Sequence, residues 1–241
     1  MNTLSYWLWV GTFGMAIGSI IITLIGSTMR KEDSHHVYLA LAITLTAATA
    51  YYAMVNNIGD IVVNGHTIQV ARYADWVITT PLLLISLISV ALPSRKSKDK
   101  LSLIAVVVGL DVYMIVTGLI ATLADNSTKY AWYIFSTIAL IGIVYVLYSV
   151  VLTESRRLAS KGVSNLYLNL SLYLSLLWIA YPVVWYLSPV GQGSIDFVGE
   201  NMTYAILDLL AKVGFGIFLL VGIKSLAAKN KPSNGEATVE A

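Results

Sequence analysis

The 241-residue chain has no cysteine, three histidines, and few charges: lysine, arginine, aspartate and glutamate together make up 12%. Without cysteine there are no disulfides and no thiolate metal sites, although the redox compartment stays open. His35, His36 and His66 have no carboxylate or cysteine partner at ligand spacing, so they read as solvated loop residues and no metal site is expected. Roughly a quarter of an average soluble domain is charged, so this chain lacks the charge to cover an ordinary water-facing surface. The formal charge of +2 is too small and too dispersed for a nucleic-acid patch. What is abundant is apolar: 57% of residues are hydrophobic, and the mean hydropathy is +0.76.

The apolar residues gather in seven runs, Leu4–Ile25, Val37–Asn57, Val70–Leu92, Leu101–Leu123, Tyr130–Leu152, Leu166–Leu187 and Asn201–Ala227. A helix rising about 1.5 Å per residue needs roughly 20 apolar residues to cross a hydrocarbon core about 30 Å thick. Lipid offers the backbone no hydrogen bonds, which favours helices over open sheet, and runs without strict alternation argue against a barrel. The expected fold is an all-α membrane protein, a seven-transmembrane-helix bundle in the lipid bilayer. One domain is expected over residues 1–227, with a disordered tail over 228–241.

Twelve of the fifteen basic residues fall on one side of these runs: Arg30, Lys31, Arg95, Lys96, Lys98, Lys100, Arg156, Arg157, Lys161, Lys224, Lys229 and Lys231. The positive-inside rule makes that side cytoplasmic. The N-terminus is then extracellular and the C-terminus cytoplasmic, in a multi-pass protein of the cell membrane. No signal peptide is expected, since Met1–Tyr6 lacks a basic stretch. Between the second and third runs, Asn64-Gly65 sits among β-branched residues. A type I′ turn needs positive φ at both central positions, so this pair predicts a short extracellular β-hairpin.

Charges inside the spans carry the functional signal. A charge at mid-membrane costs on the order of 2.5–3.5 kcal/mol by insertion scales, and such residues face a bundle interior. Asp75, Asp111, Asp208 and Lys212 stand within spans, and Arg72 stands near the end of one. Lys212 lies too deep to snorkel, and Asp208 is one turn earlier on the same face. That spacing fits an ordinary ion pair between helices. It equally fits a lysine kept for imine chemistry with a carbonyl compound, its charge balanced by the aspartate. Arg72, Asp75 and Thr79 share one face of the third run, which contains Pro81 and is expected to kink there. Trp178, Tyr181 and Trp185 form an aromatic stripe on the sixth, a pattern common in plain packing as well.

Taken together, Ala71–Leu84, the run Leu177-Trp-x-Ala-Tyr-Pro-x-x-Trp185 and the run from Leu207 to Gly216 closely resemble the archaeal microbial rhodopsins, the bacteriorhodopsin and sensory rhodopsin family. The resemblance covers roughly residues 4–226. It implies all-trans retinal on Lys212 as a protonated Schiff base, with Asp75 as proton acceptor and counterion and Asp208 as second counterion. It further implies that Arg72 balances them, that Thr79 hydrogen-bonds Asp75, and that Tyr51 and Tyr181 partner Asp208. Trp76, Met114, Gly118, Ser136, Trp178 and Pro182 would line the chromophore, with Tyr133 where relatives carry tryptophan. Thr80 and Asp111 would bridge the third and fourth helices. No enzyme activity is implied.

Within that family the chain sits between two types. The pumps' cytoplasmic proton donor, an aspartate eleven residues after the acceptor, is Ser86 here. A serine hydroxyl cannot replace a carboxylic acid as donor, so recovery should be slow, which suits a sensory photoreceptor. Of the pumps' two proton-release glutamates, Glu200 is present and the other position is Val190; Ala211 precedes the lysine, as in pumps. Asp75 argues against a chloride pump. The leading expectation is therefore a sensory photoreceptor with a two-span transducer on helices six and seven. The alternative is a slow outward proton pump, and a homo-oligomer (trimer or dimer) is compatible with the family. A seven-helix transporter without chromophore is the third class.

Overall fold

The computed structural model describes residues 3–92 and 97–229. Seven helices in it are long and apolar enough to cross a membrane: α1 (Thr3–Gly26), α2 (Ser34–Val55), α3 (Val70–Ala91), α4 (Ser97–Leu123), α5 (Lys129–Leu158), α6 (Lys161–Leu187) and α7 (Phe197–Lys229). Each helix packs on its neighbours in sequence, and α7 returns to α1, so the ring closes. α3 is the most enclosed, with 67% of its membrane window buried against 28% for α4 and α5. This places the face of Arg72, Asp75 and Thr79 at the centre of the bundle.

Several helices outrun the apolar stretches that announce them. α5 continues through Glu154, Arg156 and Arg157, where Arg157 pairs with Glu154 at 2.8 Å. The backbone keeps its own hydrogen bonds beyond the hydrocarbon, so the helix ends at a cap, not at the last apolar residue. Ser160 caps α6 by accepting from the Val163 amide, and Asp196 caps α7 by accepting from the Gly199 amide at 2.7 Å. α7 also includes Ala228 and Lys229, and the rest of the expected tail lies outside the described residues.

The hairpin forms where the Asn-Gly signal puts it. Strands β1 (Asp60–Val63) and β2 (His66–Gln69) pair antiparallel, with Val63 opposite His66 and Asp60 opposite Gln69. Asn64 and Gly65 have φ of 52° and 81°, the left-handed pair that a type I′ turn demands. The Asn64 amide donates to the Ala124 carbonyl at 3.3 Å, tying the turn to the end of α4. The histidines depart from expectation. His35 and His36 belong to the first turn of α2, their rings tilted by 38° with centroids 3.9 Å apart, and His36 is only 5% exposed. Its turn tucks against the bundle, which a reading of local polarity does not register.

Two helices contain a π turn, Leu147–Val151 in α5 and Leu210–Gly214 in α7. The second contains Lys212. Such insertions rotate the following residues relative to a regular helix and recur at functional sites.

Candidate functional site

Lys212 and both aspartates are buried, at 2% exposure or less. Lys212 Nζ donates to Asp75 Oδ2 across the α3–α7 interface and stands 3.2 Å from Asp208 Oδ1. Removing the lysine would strand two buried carboxylates without their counter-charge, at a cost of about 3–5 kcal/mol. Three donors hold Asp208: Tyr51 Oη at 2.8 Å, Tyr181 Oη at 2.9 Å and the Trp76 indole at 3.2 Å. The resemblance supplied the two tyrosines; the Trp76 bond came only with the geometry. Thr79 donates to the Asp75 main-chain carbonyl at 2.9 Å, and Thr80 donates to Asp111 at 2.7 Å.

Arg72 is 4% exposed and turns toward the hairpin end. It donates to Gln69 Oε1 at 2.8 Å and to Asn201 Oδ1, and its guanidinium lies 4.8 Å from the centre of the Tyr204 ring. Among the described residues no ion pair joins it to Asp75 or Asp208. Gln69, Asn201 and Tyr204 were not singled out in the sequence, because amides and a tyrosine at these spacings carry no motif. Glu200 lines a small second cavity with Arg72, Gln69, Tyr73, Thr122 and Trp185. There Thr122 Oγ1 accepts from the Trp185 indole at 2.8 Å and bonds Tyr73 Oη.

Beside Lys212 opens the main cavity, about 790 Å³ including its mouth. Trp76, Thr80, Met114, Gly118, Tyr133, Ser136, Trp178, Tyr181 and Pro182 line it, as do Asp208 and Lys212. Asp111 stands behind Thr80 and is not part of the wall. Tyr133 stacks on Trp185 at 4.9 Å, and both rings line the cavity. A mostly apolar wall with a few convergent polar groups is the usual form of a small-molecule site.

A seven-helix membrane bundle with a lysine and two carboxylates at the base of an aromatic cavity defines a narrow class of protein. The profile of the family described as "Bacteriorhodopsin-like protein" matches residues 2–226, and the chain belongs to that family. The chain is 40% identical over 223 residues to the bacteriorhodopsin of Haloterrigena sp. (strain arg-4), spanning 90% of this chain and 86% of the relative. To sensory rhodopsin-2 of Haloarcula vallismortis it is 30% identical over 240 residues, 99% of each chain. The solved light-driven proton pump Coccomyxa subellipsoidea rhodopsin superposes with a TM-score of 0.83 at 32% identity, covering 92% of this chain and 97% of the other. Retinal–imine chemistry, typical of the family, is thereby implied.

Proposed function

We propose that Lys212 holds all-trans retinal as a protonated Schiff base and that the protein is a slow light-driven proton pump, working from the basic side of the membrane toward the hairpin side. The carrying observation is the buried cluster of Lys212, Asp75 and Asp208, with a second polar group of Arg72, Asn201, Gln69 and Glu200 on its hairpin side. The residues present fit retinal: the cavity is mostly apolar, lined by Trp76 and Trp178, and Lys212 and Asp208 stand in its wall. Bound there, retinal supplies light absorption and an isomerisation that moves the nitrogen relative to its surroundings.

The residues then have distinct tasks. Asp75 Oδ2 is the immediate acceptor for a proton on the Lys212 nitrogen. Asp208, fixed by three donors, keeps its charge in place and opposes loss of the positive charge. With Asp75 neutral, the charge of Arg72, which shares the second cavity with Glu200, favours release on the hairpin side. Water exclusion by the aromatic walls makes each of these steps a large electrostatic event. On the other side of Lys212 the core is Leu83, Leu84, Leu87, Ile88 and Leu219, and Ser86 Oγ is spent on the Leu82 carbonyl at 2.9 Å. No carboxylic acid is in reach there among the described residues, so proton uptake is slow.

This is the second of the two readings the sequence left open. Ser86 alone favours the sensory photoreceptor, and the full-length likeness to a sensory rhodopsin keeps that reading in play with its transducer on α6 and α7. The bacteriorhodopsin-type relatives and the solved proton pump support the pump better. The twelve basic residues support a cytoplasmic C-terminus and an extracellular hairpin. Light-driven acidification of the medium by retinal-loaded cells tests the proposal. Acidification abolished by a protonophore and absent in Asp75→Asn supports the pump. No pH change from a coloured protein means the sensory reading is correct.

A further inference from the structure

Two tyrosines of α6 treat the two π turns alike. Tyr167 Oη donates to the Leu147 carbonyl at 2.8 Å, and Tyr173 Oη donates to the Leu210 carbonyl at 3.0 Å. Each of those carbonyls opens its π turn, one in α5 and the other in α7. Six residues at 100° each set the two side chains about 120° apart around α6, enough to reach both neighbouring helices. In each turn the carbonyl already accepts from the amide five residues on, Leu152 or Phe215, and the tyrosine takes its second lone pair.

The Tyr173 contact has a second mark. A Cβ placed on Gly214 would stand 2.5 Å from Tyr173 Oη but 3.7 Å from its Cζ. A methyl group at the last position of the lysine's π turn would therefore meet the hydroxyl and not the ring, and the hydroxyl would have to leave its seat to make room. Tyr173 also packs edge-on against Phe218 of α7 at 5.8 Å.

We infer that Tyr173 is a positioning residue for Lys212: its hydroxyl, seated on the Leu210 carbonyl in the space Gly214 leaves open, makes the shape of the lysine's π turn depend on where α6 stands. A lysine in such a turn aims Nζ at Asp75 only while the turn is kept, so a displacement of α6 is felt at the lysine without any contact to it. The functional part of this inference rests on the reading of Lys212 as the retinal lysine.

The test is a double-mutant cycle of Tyr173→Phe and Gly214→Ala, read in two ways. In the retinal-free protein, amide exchange at Gly214 and Phe215 should quicken about three- to ten-fold in either single variant, while α1 and α2 keep their wild-type rates. The double variant should match Tyr173→Phe alone, because without the hydroxyl the new methyl meets only ordinary contact. In the loaded protein both single variants should shift the visible band and change the recovery rate, which a purely structural bond would leave unmoved. Wild-type exchange and an unmoved band in Tyr173→Phe overturn the inference, and so does a Gly214→Ala effect that adds in full to that of Tyr173→Phe. If wild type takes up no retinal, the Lys212 reading fails, and the exchange arm still decides the latch.

Discussion

At the scale of single residues, the chemistry rests on where one cation and two carboxylates stand. Lys212 and Asp208 could be paired from their spacing, but Asp75 joins them only because α3 and α7 face each other. On the proposed function, Ser86 limits the rate of recovery. Ser86→Asp places a protonatable carboxyl in the apolar half, and flash photolysis should show recovery accelerated at least ten-fold relative to wild type. A recovery already in the millisecond range in wild type would mean another donor exists. What the sequence could not offer at this scale were the partners of Arg72. Gln69, Asn201 and Tyr204 come from the hairpin's end and from α7, and nothing in their types or spacing marks them. The family resemblance, by contrast, named Tyr51, Tyr181, Thr80 and Asp111, and the structure brings each within 3 Å of its expected partner.

Among the elements, helix packing controls the site from a distance. A Cβ on Gly11 of α1 would lie 2.2 Å from Cδ1 of Tyr51, a ring buried completely and bonded to Asp208. Gly11→Ala should therefore destabilise the protein by about 1–3 kcal/mol and loosen the Tyr51–Asp208 bond, seen as a lower unfolding temperature. The hairpin offers a pH test. Burial raises the carboxyl pKa of Asp60 above its ordinary value, with Arg72 offsetting part of that effect. The folded state thus keeps this proton to higher pH than the unfolded chain does. Hairpin stability should be greatest in acid and fall as pH rises through the aspartate range. Amide exchange of β1 and β2 should show that decline in wild type and a flat profile in Asp60→Asn. The hairpin's position and turn were legible because Asn-Gly has one favoured backbone solution. The π turns were not, because an inserted residue leaves the apolar pattern of α5 and α7 nearly unchanged.

For the whole molecule, hydropathy was enough to show seven spans, since lipid requires a backbone that satisfies its own hydrogen bonds and runs without strict alternation exclude a barrel. Most boundaries moved outward, as caps and interfacial charges allow, while α2 stops at Val55 and α3 at Ala91, short of the expected Asn57 and Leu92, and His36 is buried against the bundle. The basic residues distribute so unevenly that orientation has its own test. Protease added to sealed cells should spare the α5–α6 connection around Arg156 and Arg157, and should cut it only after permeabilisation. Cutting in intact cells would reverse the topology and the direction of pumping with it.

The proposed pump depends first on retinal attachment at Lys212. That attachment is tested by adding all-trans retinal to wild type and to Lys212→Ala, then recording visible absorption and intact mass after borohydride reduction. A visible band with a stable mass increase in wild type, both absent in Lys212→Ala, is the expected result. A Lys212→Ala protein that still binds retinal covalently and stays coloured would contradict it.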